Sequence, residues 1–156
     1  SPLITGGSQE RNSRGGTENL YGIVGLGKAM DLAYTDLSKH KDHIQSLKSY
    51  MMKSLIEIDS QITFNGETNP DKSLYTVLNV CFPMKVCNSM LLFSLDIHGI
   101  AASGGSACSA GHMSGSHVLD KVCKDQSRTG VRFSFSKYNT KEEIDFTIKR
   151  LKEIFN

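Results

Sequence analysis

Leu74-Tyr-Thr-Val-Leu-Asn-Val-Cys-Phe82, followed by Pro83, is the stretch on which the reading of the fold turns. It is a short β-branched and apolar run bounded by Asn69-Pro70-Asp71 ahead and Pro83 behind, which predicts a strand. Upstream of it the apolar residues recur at helical spacing instead. Leu20, Ile23, Val24, Gly27, Met30, Ala33, Tyr34 and Leu37 share one face behind Thr17, a candidate N-cap. Ile44, Leu47, Met51, Leu55 and Ile58 form a second stripe with lysines opposite. Gly22, Gly25 and Gly27 each weaken the first helix by about 1 kcal/mol against alanine, so a neighbouring backbone is expected close by.

Downstream, Asn88 or Ser89 can cap a short helix through Met90, Leu91, Leu92, Phe93 and Leu95, ended by Gly99. Ile100 to Ser103 reads as a short strand entering a loop of small residues, Gly104 to Gly115; Ser116 then caps a brief helix with Val118, Leu119 and Val122. Val131, Phe133 and Phe135 alternate with Arg132, Ser134 and Ser136, the period of a half-buried strand. Thr140-x-x-Glu143 is a capping box that opens a last helix with Ile144, Ile148, Leu151 and Phe155 inward. The expected fold class is α/β (α+β): a small, mainly antiparallel sheet of three or four strands covered by helices on one side.

Composition narrows the function classes. The chain has 156 residues, 38% hydrophobic and 22% charged, enough for a real core in one compact domain. No apolar run approaches the roughly 18 residues of a membrane helix. Eighteen basic against sixteen acidic side chains leave +2 with no basic stripe, so neither nucleic acid nor a membrane surface is an expected partner. Four cysteines are too few to staple a fold of this size; they read as reduced thiols, and the expected compartment is cytoplasmic. Ser1-Pro2 at the start, in place of methionine, suggests a processed product or a piece of something longer.

Gly22-Ile-Val-Gly-Leu-Gly27-Lys28-Ala29 nearly spells a Walker-type phosphate loop, but Ala29 stands where magnesium needs a hydroxyl and no strand leads in. Cys81-x5-Cys87 with His98 and His112 lacks the Cys-x2-Cys pair that sets up tetrahedral geometry, so no metal site is expected. Cys81 and Cys123 read as small core hydrophobes. Cys108 differs: Ser103-Gly-Gly-Ser-Ala-Cys-Ser-Ala-Gly111 is too small and flexible to bury a thiol, which leaves it accessible on a loop that can travel. An incidental cysteine in a linker is the plain alternative. Arg132 alternates onto the face opposite Val131 and Phe133, where a guanidinium can grip a carboxylate with two parallel hydrogen bonds or simply meet solvent. His98, His112 and His117 have no partner pattern.

Taken in order, these segments resemble the C-terminal part of a cysteine desulfurase, a pyridoxal-phosphate (PLP) enzyme of the class V aminotransferase group with fold type I. Gly6-Gly-Ser-Gln-Glu-Arg11 and Arg14-Gly-Gly-Thr-Glu-Asn19 are similar to the family's Gly-Gly-Gly-Gln-Glu-Arg and Arg-Ser-Gly-Thr-Glu-Asn segments. Ser103-Gly-Gly-Ser-Ala-Cys108-Ser resembles its nucleophile loop, and Val131-Arg132-Phe-Ser-Phe-Ser136 its terminal strand. The resemblance implies that Cys108 attacks the sulfur of L-cysteine, that alanine leaves, and that Cys108 keeps a persulfide. It implies further that Arg132 holds the substrate carboxylate and that Thr17 meets the cofactor phosphate of the neighbouring subunit in a homodimer. Sulfur would pass to an iron–sulfur scaffold protein or another acceptor. Residues 1–37 would be the tail of the PLP-binding domain with a bridging helix, and 38–156 the C-terminal small domain. The family's Schiff-base lysine lies ahead of Gly6, so this chain is expected to be inactive alone; Ser38-Lys39-His40-Lys41 mimics the lysine motif at the wrong place, and Lys41 reads as a surface residue. A selenocysteine lyase or related PLP lyase would share this framework. A redox or docking module without catalysis, with Cys108 as a regulatory thiol, is the non-enzyme alternative.

Overall fold

The computed structural model describes residues 1–83, 91–104, 119–122 and 128–155. The chain divides into two compact units, Ser1–Leu37 and Ser38–Asn156.

The first unit is a folded lead-in followed by α1 (Leu20–Thr35). Gly15 N donates to Ile4 O at 2.9 Å, and a Cβ on Gly15 would fall 2.7 Å from Gly6 N, so the two glycine-bearing stretches cross where a side chain would not fit. Thr17 is not the N-cap. Asn19 is, its side chain accepting from Gly22 N at 3.0 Å. The reason is local: Arg14 Nη1 donates to the carbonyls of Gly16 (3.0 Å) and Thr17 (3.4 Å) and to the Glu18 carboxylate (3.1 Å), which holds this segment in its own turn. Within its unit α1 buries nothing, and Gly25 and Gly27 have open space where a Cβ would stand, so the close backbone neighbour expected from its glycines is not found among the described residues.

The second unit runs α2 (Leu37–Ile58), β1 (Thr63–Asn65), β2 (Val77–Phe82), α3 (Leu91–Ile97), α4 (Leu119–Val122), β3 (Thr129–Ser134) and α5 (Lys141–Phe155). The strands form a three-stranded antiparallel sheet in the order β1-β2-β3, as the α/β reading expects. Leu78, Val80 and Phe82 of β2 and Val131 and Phe133 of β3 point to one face, where Ile44, Leu47, Met51 and Leu55 of α2 and Ile144, Ile148 and Leu151 of α5 complete the core. β2 starts three residues later than its apolar run, and β1 carries too few residues to show a period. The strand expected over 100–103 is reduced to a single bridge, Ser103 with Arg132.

Two other helix-end signals hold. Gly99 sits at φ +76°, with Gly99 N on Asp96 O (2.8 Å) and Ile100 N on Leu95 O (2.9 Å), which closes α3. Thr140 N donates to Glu143 Oε2 (3.1 Å) and Glu143 N to Thr140 Oγ1 (3.4 Å), the reciprocal capping box of α5. The lysines of α2 do not all lie opposite its stripe. Lys48 is 2% exposed, its Nζ donating to Ser73 Oγ (3.1 Å) and Leu74 O (2.8 Å), and burial pushes its ammonium below the ordinary lysine value. That lysine ties α2 to the segment leading into β2.

Candidate functional site

The other face of the sheet is polar, and its residues are set by register. In antiparallel pairing, directly opposed residues point to the same side with Cβ atoms about 5 Å apart. Asn65 opposes Asn79, Asn79 opposes Arg132, and Arg132 in turn is bridged to Ser103. Asn65, Asn79, Arg132 and Ser103 therefore stand in one row across the sheet, on the side away from α2 and α5. Asn65 Nδ2 donates to Asn79 Oδ1 at 2.8 Å.

Arg132 is half-buried in this row, on the face its strand period dictates. Its backbone is held on both sides: β2 lies along one edge, and on the other Ser103 N donates to Arg132 O (3.1 Å) while Arg132 N donates to Ser103 O (2.6 Å). Its Nε is buried and finds no acceptor among the described residues. A guanidinium fixed at the backbone suits a planar anion. The neighbouring guanidinium, Arg128, is engaged instead: it donates to Gln61 O at 2.6 Å and Thr63 Oγ1 at 3.2 Å.

Cys108 lies outside the described residues, as do Cys87, Cys123, His112 and His117 and the expected caps Asn88, Ser89 and Ser116. The root of its loop is described. Ser103 is bonded to Arg132, and a Cβ on the next residue, Gly104, would fall 2.4 Å from Leu92 Cδ1, the end of that side chain, and 3.7 Å from Gly130 O. Cys108 follows Ser103 by five residues, and chain geometry limits its Cα to about 18 Å from that root. Thr17 belongs to the first unit and is exposed. Its hydroxyl suits one phosphate contact, but much of the first turn of α1 is already satisfied: Leu20 N gives to Glu18 O, Gly22 N to Asn19 Oδ1 and Ile23 N to Asn19 O. Lys41 is exposed on α2, as expected of a surface residue.

Cys81 is buried and free, consistent with a core thiol. Among the described residues no group of three His, Cys, Asp or Glu side chains could hold a metal ion, and no helix is long and apolar enough to cross a membrane. A cavity of about 540 Å³ opens on the helix side, lined by Ile100, Phe133, Phe135, Ile144 and Phe146 among others; Arg132 does not line it. The polar row went unread in the sequence. Its signal was there, since Asn79 interrupts an otherwise apolar strand at a position that alternates with Leu78 and Val80.

Comparison with known proteins identifies the family of the chain. The Aminotransferase class-V family profile matches residues 4–146. A cysteine desulfurase IscS of Dictyoglomus turgidum is 37% identical over 155 residues, which cover 98% of this chain and 39% of that protein. A cysteine desulfurase of Sinorhizobium fredii is 41% identical over 149 residues, 94% of this chain and 38% of its own. Among solved structures, a NifS-like protein superposes with a TM-score of 0.76 at 35% identity, covering 98% of this chain and 38% of the other. The chain thus spans about two fifths of the length of the curated relatives it matches.

Proposed function

The chain belongs to the class V aminotransferase family, and from that premise we propose that it is the C-terminal part of a PLP-dependent cysteine desulfurase, which takes the sulfur of L-cysteine and releases L-alanine. The observation that carries this reading is the two-way backbone bond between Ser103 and Arg132. It joins the root of the small-residue tether to the strand that presents the guanidinium, so thiol and carboxylate grip share one origin.

Arg132 binds the substrate carboxylate with its fork and orients the sulfur toward the tether. The Cys108 thiolate attacks that sulfur. The bond between the substrate's β-carbon and sulfur breaks as the new S–S bond forms, and the carbon fragment, with a proton, leaves as alanine. The persulfide on Cys108 then moves with its loop to an acceptor, an iron–sulfur scaffold protein or another sulfur-accepting protein. PLP, when bound, supplies the electron sink that makes the carbon–sulfur bond labile. Thr17 would hold the phosphate of PLP through its hydroxyl, with the cofactor belonging to the neighbouring subunit of a homodimer.

The chain spans about two fifths of the curated relatives it matches, and the proposed activity is that of the longer protein. In that protein residues 1–37 are the tail of the cofactor domain and 38–156 the small domain. The apolar side chains of α1, with Leu20, Tyr21, Ile23, Val24, Leu26 and Tyr34 all more than half exposed, support the same view, because an exposed apolar patch of this kind marks a contact surface. A thiol that cycles through a persulfide needs a reducing compartment, and we place the protein in the cytoplasm.

The test is to supply the complete, PLP-loaded protein with L-cysteine, measure alanine, and weigh the peptide that carries Cys108. One alanine per added sulfur on that peptide, abolished in Cys108→Ala, is the expected result. Sulfur arriving equally on Cys81, Cys87 and Cys123 would refute the assignment of the nucleophile. Turnover with selenocysteine but not cysteine would make the protein a selenocysteine lyase.

A further inference from the structure

The row that flanks Arg132 holds a second group with no role so far. Asn79 opposes Arg132 directly across the β2–β3 ladder, so its amide and the guanidinium rise side by side from one face. The orientation of that amide is set from the far side. Asn65 Nδ2 occupies Asn79 Oδ1 at 2.8 Å, which commits the oxygen to Asn65 and leaves the NH2 group as the end of Asn79 available to a ligand. Gly130 makes the arrangement possible. A Cβ there would lie 3.0 Å from Asn79 Oδ1, 3.4 Å from Asn65 Nδ2 and 3.1 Å from Leu119 Cδ1, a tight contact that the amide pair would have to relieve by a few tenths of an ångström. The strand beneath the two asparagines is thus bare where they meet.

The register sets two kinds of donor on one face of the sheet: the guanidinium of Arg132, and the NH2 group of Asn79, whose oxygen is taken by Asn65. Two donors cannot satisfy one another, and the group that fits between them carries acceptors and negative charge. We propose that Asn79, oriented by Asn65 over the bare Cα of Gly130, is the second donor to the substrate carboxylate beside Arg132. The inference rests on the desulfurase reading and deepens it. Arg132 brings the charge and its fork; Asn79 restricts the rotation of the bound carboxylate by holding one oxygen from the adjacent strand. Asn65 touches no substrate and acts through Asn79 as a positioning residue.

The experiment uses the complete PLP-loaded protein with L-cysteine, and with L-alanine as a carboxylate-bearing product whose binding is read apart from turnover. Asn79→Leu removes the donor at similar volume, and Asn79→Asp sets an anionic oxygen where the amide nitrogen stood. KM for cysteine and the dissociation constant for alanine should both rise by about tenfold to a hundredfold in Asn79→Leu, and further in Asn79→Asp, with kcat changed much less. Asn65→Leu should raise KM by a smaller factor, since Asn79 keeps its donor but loses its orientation. Should Asn79→Leu fail to fold, the near-isosteric aspartate variant alone decides, because lost orientation without lost binding would leave its alanine affinity unchanged. Wild-type turnover of cysteine together with unchanged KM and alanine binding in Asn79→Asp overturns the inference and leaves the desulfurase intact. Absence of turnover in the wild type sinks the desulfurase reading itself.

Discussion

Removing the guanidinium of Arg132 should cost the complete enzyme its grip on substrate while sparing the fold, and the structure separates those two effects. The residue's backbone is engaged on both edges, with β2 and with Ser103, and none of those bonds involves the side chain. The side chain is half-buried, and its Nε satisfies no acceptor among the described residues, so Arg132→Ala strands no internal partner there. Thermal stability should therefore change by less than about 1 kcal/mol, a few degrees at most in Tm. Catalysis should not escape so lightly. A carboxylate that loses a bidentate charged partner forfeits about 2–5 kcal/mol, or roughly thirtyfold to several thousandfold in kcat/KM. Arg132→Lys keeps the charge but not the fork and should recover only part of the loss. Steady-state alanine formation, with a melting curve on the same preparations, measures both quantities. Unchanged kcat/KM at unchanged Tm would refute the carboxylate role; a collapse of Tm would show that the side chain serves the fold instead.

Three further expectations concern the second unit. Leu55, fully buried where α2 meets the sheet, should lose about 2–5 kcal/mol as Leu55→Ala in a denaturant titration, and a loss below 1 kcal/mol would contradict its place in the core. Burial lowers the pKa of Lys48, so the unfolded chain binds its proton more readily; stability should rise with pH from the depressed folded value up to the ordinary 10.5, and Lys48→Met should flatten that rise in urea midpoints taken from neutral to alkaline pH. A slope as steep in the variant as in the wild type would remove Lys48 as its source. Asn139 and the Thr140 amide hold the Glu143 carboxylate below its ordinary value, so its stabilisation is present above the unfolded value of about 4.5 and is lost as pH falls through the folded one; Glu143→Gln should therefore cost more at neutral pH than in acid, as thermal melts at the two would record.

Local rules account for much of what was legible. The capping box at Thr140 and Glu143, the left-handed Gly99 that ends α3 and the inward stripes of α2 and α5 all rest on bonds or periods spanning a few residues, and each is found as read. Failures follow the same logic. β1 is three residues long and exists because Phe64 pairs with Val80 of β2. Thr17 loses the cap to Asn19 because the Arg14 side chain claims the carbonyls in between. Lys48 sits on the buried side of α2 because Ser73 and the Leu74 carbonyl, 25 and 26 residues away, receive its ammonium.

The site divides along the same line. Period two along β3 was enough to place Arg132 on the polar face, and small residues from Ser103 onward were enough to mark a tether, since both are properties of consecutive residues. Which groups stand beside that guanidinium is another matter. Asn79, Asn65 and Ser103 reach it through strand register, a choice made between segments far apart in the chain, and one step of slippage would have turned each of them to the opposite face. Pairing across a sheet is settled by the packing of the whole core, so the neighbours of Arg132 became readable only once that core was in place.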